Sequence, residues 1–281
     1  MVRLLIVLDS ISVSYIVVQV MREFSDEEII ELSVVNVRFP TSKTNDGTDS
    51  VHTNPDYSVA YVTLTTSAGN HGYGITFTLG TGTDLIISTI DILKPFVLHK
   101  TVRQIFTNYR TFYRSLTQHP RMRWLGPEKG VVHLATAAIT NAVWDLGARL
   151  ADKPLWRFVV DLPAKDLVAM VDWSYLSDVV SEEEVVEMLE KSEEEKEKRI
   201  EYLREYGYPA YITSAGWLGY SDEKVTSLIQ DKMADGWTAF KMKVCCNLLV
   251  KSRILNGNIL NFACLFFGYL KYLSRNFIYN L

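Results

Sequence analysis

No cysteine occurs before position 245, no aspartate, glutamate or histidine occurs after position 244, and no apolar run is long enough to cross a membrane as a helix. The first absence excludes a disulfide framework over most of the chain. Cys245, Cys246 and Cys264 have no histidine near them, since all five histidines lie at or before position 133, and their spacing closes no zinc site. The apolar run Ile259–Leu270 is short of the roughly 20 residues a spanning helix needs, so no membrane partner is expected. A basic excess is also missing. With 29 Lys+Arg against 33 Asp+Glu, the formal net charge is -4 and the chain lacks the electrostatic footprint of a nucleic-acid binder.

What is present is an ordinary globular composition, 48% hydrophobic and 22% charged, which excludes disorder. A chain of 281 residues holds one large domain or two smaller ones. Its charge is unevenly spread: residues 1–244 carry all 33 acidic side chains, whereas 245–281 carry only Lys251, Arg253, Lys271 and Arg275. The leading segment, residues 1–24, is apolar but interrupted by Asp9, and it fits neither a secretory signal nor an arginine-rich transit peptide. An intracellular location, cytoplasmic or mitochondrial, is expected.

Periodicity predicts the elements. Ile29–Val37 is rich in β-branched residues and reads as a strand, and Tyr57–Thr66 alternates like a half-buried one. Gly69–Asn70 and His71–Gly72 mark a hairpin turn into a third strand, Tyr73–Leu79, with Thr83 as the expected cap of a helix from Asp84. Helical periodicity follows over 101–118 and 128–150, so three strands precede a run of helices, the pattern of an α+β domain. The polar stretch Thr41–Asp56 is too long for a simple connection and is expected to be functional. Residues 181–206 read as one solvated helix with Ser181 and Glu184 in a capping box. Strand 211–218, helix 221–234 and strand 237–244 then form one βαβ unit, which implies a parallel pair and the start of a larger sheet or barrel.

Few motifs carry chemistry. Residues 72–82, GYGITFTLGTG, lack the Lys-Ser/Thr of a phosphate loop and read as a hairpin and a turn. The histidines are scattered, and no recognisable serine or cysteine nucleophile arrangement occurs. Lys241 and Lys243 are different. Two residues apart on a strand, they share a face, and two neighbouring ammonium groups disfavour each other's charge, which makes one of them a usable base.

Taken together, VRFPTS (37–42), HTNPDYSVAYV (52–62), GITFTLGTGT (74–83), RWLGPEKGVVHLATAAITNAVWDL (123–146), YPAYITSAGWLGYSD (208–222) and DGWTAFKMKV (235–244) resemble the mandelate racemase/muconate lactonizing branch of the enolase superfamily, and within it the L-fuconate dehydratases. The resemblance covers about 28–244. It implies an α+β capping domain over 28–165, then an insertion and the first strands only of an α/β TIM-type barrel over 166–244. Residues 1–27 form a leader and 245–281 an apolar tail without counterparts in the family.

The chemistry implied is Mg²⁺-dependent dehydration of an acid sugar to a 2-keto-3-deoxy acid, by loss of the proton alpha to the carboxylate and then of the β-hydroxyl. By the same resemblance Lys243 is the acid/base residue, Lys241 meets the substrate carboxylate, and Gly47, Thr48, Asp49 and Tyr57 reach the sugar acid from the cap. The small-molecule partner is therefore L-fuconate-like, with a homo-oligomer possible. The family's carboxylate ligands for Mg²⁺ and its opposing histidine belong to later barrel strands, and residues 245–281 offer no Asp, Glu or His in their place. The expectation is a truncated barrel with no metal site and no turnover of its own. The alternative expectation is a non-catalytic isoform that acts by binding.

Overall fold

The structure is a computed structural model describing residues 24–125 and 128–243, so the expectations for the first 23 residues and for 245–281 lie outside the described residues. Within it the chain divides into two compact units, one of residues 24–38 and 58–202, the other of 39–57 and 203–243.

The larger unit is built on an antiparallel meander of β1 (Ile29–Arg38), β2 (Ser58–Thr66) and β3 (His71–Thr78), in the order β1-β2-β3. The alternation seen in the sequence of β2 is realised: Ser58, Ala60, Val62, Leu64 and Thr66 are buried while the residues between them are half-exposed. Register aligns Val34, Val62 and Gly74 across the three strands. Gly69, at φ +84°, makes the turn between β2 and β3. The Glu27 carboxylate closes that turn, accepting from the Thr66 hydroxyl (2.5 Å) and the Asn70 amide (3.0 Å).

Helix α1 (Thr83–Leu93) starts one residue earlier than expected, with Gly82 at φ +84° as its N-cap. Thr83 does not cap it because its hydroxyl points inward, 2.8 Å from that of Thr78 and 3.4 Å from that of Ser58. The 101–118 periodicity resolves into α2 (Val102–Thr107), begun by a Thr101–Gln104 capping box, and α3 (Tyr109–Thr117), separated where Asn108 leaves helical geometry. Helix α4 (Val131–Leu150) lies on the sheet, burying Ala135, Ala138, Ile139, Ala142, Val143 and Leu146. Ile139, Val143 and Leu146 each contribute about 1.5–3 kcal/mol by this burial.

Two glycines of the 72–82 stretch explain that approach. A Cβ at Gly72 or Gly74 would run into the backbone of α4 at Ala142 or Ala138, so the glycines serve close helix–strand packing. The outer edge of β3 is covered by the same helix: Asp145 accepts from the Tyr73 amide (2.9 Å) and Asn141 donates to the Ile75 carbonyl (3.1 Å). At the other side of α4, Phe24, Phe106, Tyr109, Trp144 and Phe158 pack ring on ring, with Phe24 stacked on Phe106 at 4.7 Å. Trp144 donates to the Tyr109 hydroxyl (2.7 Å), and burial pushes that hydroxyl up to about 12.

Helices α5 (Leu155–Val160) and α6 (Ala164–Met170) follow, each preceded by a proline. The 181–206 run is two helices, α7 (Glu182–Glu193) and α8 (Lys196–Tyr206), broken where three glutamates stand in a row. Ser181 and Glu184 form the expected capping box, and α7 buries no residue. Arg110 grips Glu182 with both guanidinium arms (3.0 and 2.9 Å), and Arg114 reaches Asp172 (2.6 Å). Residues 166–202 thereby pack with the sheet's own unit.

In the smaller unit, α9 (Asp222–Ala234) runs between two extended segments, capped by Ser221. In place of two strands at 211–218 and 237–244, the segments meet in one parallel bridge, Ile212 to Phe240. Three backbone bonds hold it: Ile212 N–H to Ala239 O (2.9 Å), Lys241 N–H to Ile212 O (2.8 Å) and Lys243 N–H to Gly216 O (2.8 Å). The helix between the segments and the parallel sense of their contact are as expected. A full ladder is not reached, because a parallel pair needs neighbours on its edges and, among the described residues, none is present. Ala215, Val225, Ile229 and Phe240 form the small core beneath it.

Candidate functional site

The site lies in the smaller unit, where the 39–57 loop folds against 217–224 and the lysine-bearing segment 241–243 reaches Trp217. The loop is ordered by its own polar side chains. A 3-10 turn at Thr41–Thr44 is held by the Thr41 hydroxyl, which donates to the Pro55 carbonyl (2.8 Å) and accepts from the Tyr57 amide (2.9 Å). Asp56 accepts from the hydroxyl (2.5 Å) and amide (3.2 Å) of Ser42. Asn45 takes the left-handed conformation at φ 59° that asparagine tolerates, and Gly47 follows at φ +81°. A Cβ on Gly47 would enter the Tyr57 ring, so the backbone passes directly over that aromatic face.

The six residues chosen from the sequence all fall in this unit, in different roles. Thr48 is only 2% exposed. Its hydroxyl donates to Asn45 O (2.9 Å) and accepts from the Gly219 amide (2.8 Å), while its carbonyl accepts from the Leu218 amide (3.2 Å). Asp49 folds its own turn: Oδ1 accepts from the amides of Val51 (2.9 Å) and His52 (2.7 Å). Burial raises its carboxyl, but those amides and the His52 ring outweigh it and hold the group below its ordinary value. Tyr57 stands edge-on to Trp217, with ring centroids 6.4 Å apart, and burial, then the charges of Asp49 and Asp46, push its hydroxyl up.

Lys243 Nζ sits 5.6 Å from the centre of that same Trp217 ring, and Lys241 Nζ 5.9 Å from the ring of Tyr211. Among the described residues neither lysine forms an ion pair. Gly216 lets the segment in, since a Cβ there would lie 2.6 Å from the Lys241 carbonyl and 2.8 Å from the Met242 sulfur.

Four residues of the arrangement were not singled out from the sequence, although two of them stand in the 208–222 motif: Asp46, Trp217, Tyr220 and Lys224. The Tyr220 hydroxyl donates to Asp46 across 174 positions of sequence, a separation no local pattern spans. Lys224 Nζ donates to the Thr44 carbonyl (3.1 Å), lies 3.7 Å from the Asp46 carboxylate and sits 3.7 Å from the centre of the Tyr220 ring. Burial raises Asp46, but the bonds from Tyr220 and Thr44 and the charge of Lys224 outweigh it and keep the carboxyl below its ordinary value. Burial and then the Asp46 bond push Tyr220 upward. Asp46 and Asp49 are thus charged at neutral pH. Among the described residues no group of three His, Cys, Asp or Glu side chains converges on a point that a metal ion fits.

A three-stranded cap with its helices, followed by two extended segments that flank a helix and end in paired lysines, defines a class. Residues 29–159 match the family described as "Mandelate racemase / muconate lactonizing enzyme, N-terminal domain", and the chain resembles the mandelate racemase/muconate lactonizing branch of the enolase superfamily. Among particular proteins, it is 50% identical over 222 residues to mitochondrial enolase superfamily member 1 of Bos taurus, covering 78% of this chain and 50% of the relative. The crystal structure of the human protein of that name superposes with a TM-score of 0.75 at 49% identity, again over 78% of this chain and 50% of that one. The L-galactonate dehydratase of Hypocrea jecorina is 41% identical over 210 residues, covering 74% of this chain and 47% of the relative. A racemase from Streptomyces coelicolor A3(2) with bound magnesium shares the fold at a TM-score of 0.52 and 21% identity, over 77% of this chain and 46% of that one. The chain spans about half the length of the curated relatives it matches. No helix among the described residues is long and apolar enough to cross a membrane.

Proposed function

We propose that this chain supplies one side of an acid-sugar dehydratase site, in which Lys243 exchanges the proton alpha to the substrate carboxylate and Lys241 meets that carboxylate. The observation that carries the reading is the convergence of the 39–57 loop and Lys243 on one ring, Trp217. A loop rich in polar groups, facing a lysine that no carboxylate neutralises among the described residues, suits an anionic, polyhydroxylated ligand. The substrate carboxylate goes to the lysine end, because the charged Asp46 and Asp49 repel it elsewhere. Asp49 Oδ2 has His52 as its neighbour only at 3.4 Å, which leaves acceptor capacity for a sugar hydroxyl. The Gly47 backbone lies against the Tyr57 ring beside it.

In the reaction, Lys243 in its neutral form takes the proton from the carbon next to the carboxylate. The electron pair moves into the carboxylate as an enediolate and then expels the β-hydroxyl, which takes up the proton held by Lys243 and leaves as water, and the enol becomes the 2-keto-3-deoxy acid. In this class Mg²⁺ neutralises the enediolate. The described residues do not fit that ion, and 245–281 contain no carboxylate or histidine to add. The 281-residue chain by itself is therefore proposed to be inactive. The substrate proposed is L-fuconate, with L-galactonate as the neighbour suggested by the fungal relative's name. A mitochondrial location is proposed on the names of the animal relatives.

The test is a chimera that joins residues 24–243 to the remaining half of the human relative. It is expected to dehydrate L-fuconate or L-galactonate with Mg²⁺. Lys243→Ala is expected to lower kcat about 10²- to 10⁴-fold with an unchanged circular dichroism spectrum. Turnover retained in Lys243→Ala would sink the assignment.

A further inference from the structure

We infer that Asp46 and Tyr220 are positioning residues that hold the loop segment 44–49 in its ligand-facing form, and that Thr48 is a strut of this latch. The inference rests on the acid-sugar reading above. Four links tie 44–48 to 218–224: Tyr220 to Asp46, Lys224 to the Thr44 carbonyl, the Gly219 amide to the Thr48 hydroxyl and the Leu218 amide to the Thr48 carbonyl. The Asp46 side chain collects three of its neighbours, Tyr220, Lys224 and the Thr44 hydroxyl at 2.7 Å. It is turned toward the latch. Thr48 spends its donor on Asn45 and its acceptor on Gly219. The fit is close, because a Cβ on Gly219 would come within 2.9 Å of the Thr48 hydroxyl and 3.0 Å of Asn45 Cβ.

The consequence for the ligand is geometric. Gly47 and Asp49 flank the strut, so wherever the latch holds Thr48, it also fixes the Gly47 backbone over the Tyr57 ring and the turn that orients Asp49. Without the latch, the loop keeps its internal turn at Thr41–Thr44 but loses the link that sets the direction of 47–49. A hydrogen bond to a charged acceptor in this setting corresponds to about a tenfold change in an opening equilibrium, or somewhat more.

The experiment uses the full 281-residue chain. Amide hydrogen exchange at Leu218 and Gly219 is expected to be about tenfold faster in Tyr220→Phe and in Asp46→Ala, with β2 amides unchanged. Asp46→Asn keeps an acceptor for Tyr220 and is expected to fall between them and the wild type. Binding of L-fuconate, followed by saturation-transfer NMR, is expected to weaken about tenfold in the same order, which a purely structural contact would not produce. Unchanged exchange in Tyr220→Phe overturns the latch. Faster exchange with unchanged L-fuconate affinity overturns the positioning role. Absence of L-fuconate binding in the wild type removes the acid-sugar reading and the positioning role with it, while the exchange rates still decide whether the latch exists.

Discussion

Asp172 accepts hydrogen bonds from Arg114 (2.6 Å) and from the Ser174 hydroxyl (2.6 Å), and these, Arg114 first, hold its carboxyl well below the ordinary value of 3.8. A carboxylate with a depressed folded-state value binds fewer protons folded than unfolded. Its contribution is complete above 3.8 and is lost as pH falls through the folded value. Asp172→Asn should therefore lose part of the stability difference between pH 7 and pH 3. Urea midpoints at both pH values test this, and an equal drop in variant and wild type contradicts it. At this scale the sequence showed the paired lysines, because a spacing of two is a local signal, and it showed the loop residues only through family resemblance. Asp46 was out of reach, since its partners lie far along the chain and an aspartate in a polar loop looks like any other.

Elements followed from pattern where the pattern matched local chemistry. The strict alternation of β2 and the Ser181–Glu184 capping box were legible because both are decided within a few residues. Breaks were not: Asn108 and the glutamate run near 194 divide stretches whose periodicity runs on without interruption. The two extended segments of the smaller unit have strand-like sequences yet meet in one bridge, since strand length depends on neighbours that local sequence does not reveal. The packing of α4 on β3 is the element-scale feature most exposed to a single change. Gly74→Ala places a methyl group against the backbone of Ala138 and Ala142, which neither element can move aside without parting from the other. A loss of about 1–3 kcal/mol is expected from such overpacking, read as a lower urea midpoint at constant slope. A midpoint equal to that of the wild type would show that α4 and β3 adjust freely.

Across the whole molecule the two units bury very different amounts. Among the described residues the larger unit's core has 26 buried apolar side chains and the smaller unit's has four, Ala215, Val225, Ile229 and Phe240. The smaller unit is accordingly expected to open first. Native-state hydrogen exchange in low urea should release the amides of Val225 and Ile229 at a lower free energy than those of Ile139 and Val143. Simultaneous release would mean that the two cores unfold as one. By itself the sequence determined the β-meander, the helix-rich remainder, the long polar loop and the two lysines, because periods of 2 and 3.6, turn residues and caps act over short distances. Only the tertiary structure decided which glycines admit a helix, which carboxylate anchors the loop and that Trp217 joins loop to lysine, because those are meetings between residues that adjacency in sequence does not bring together.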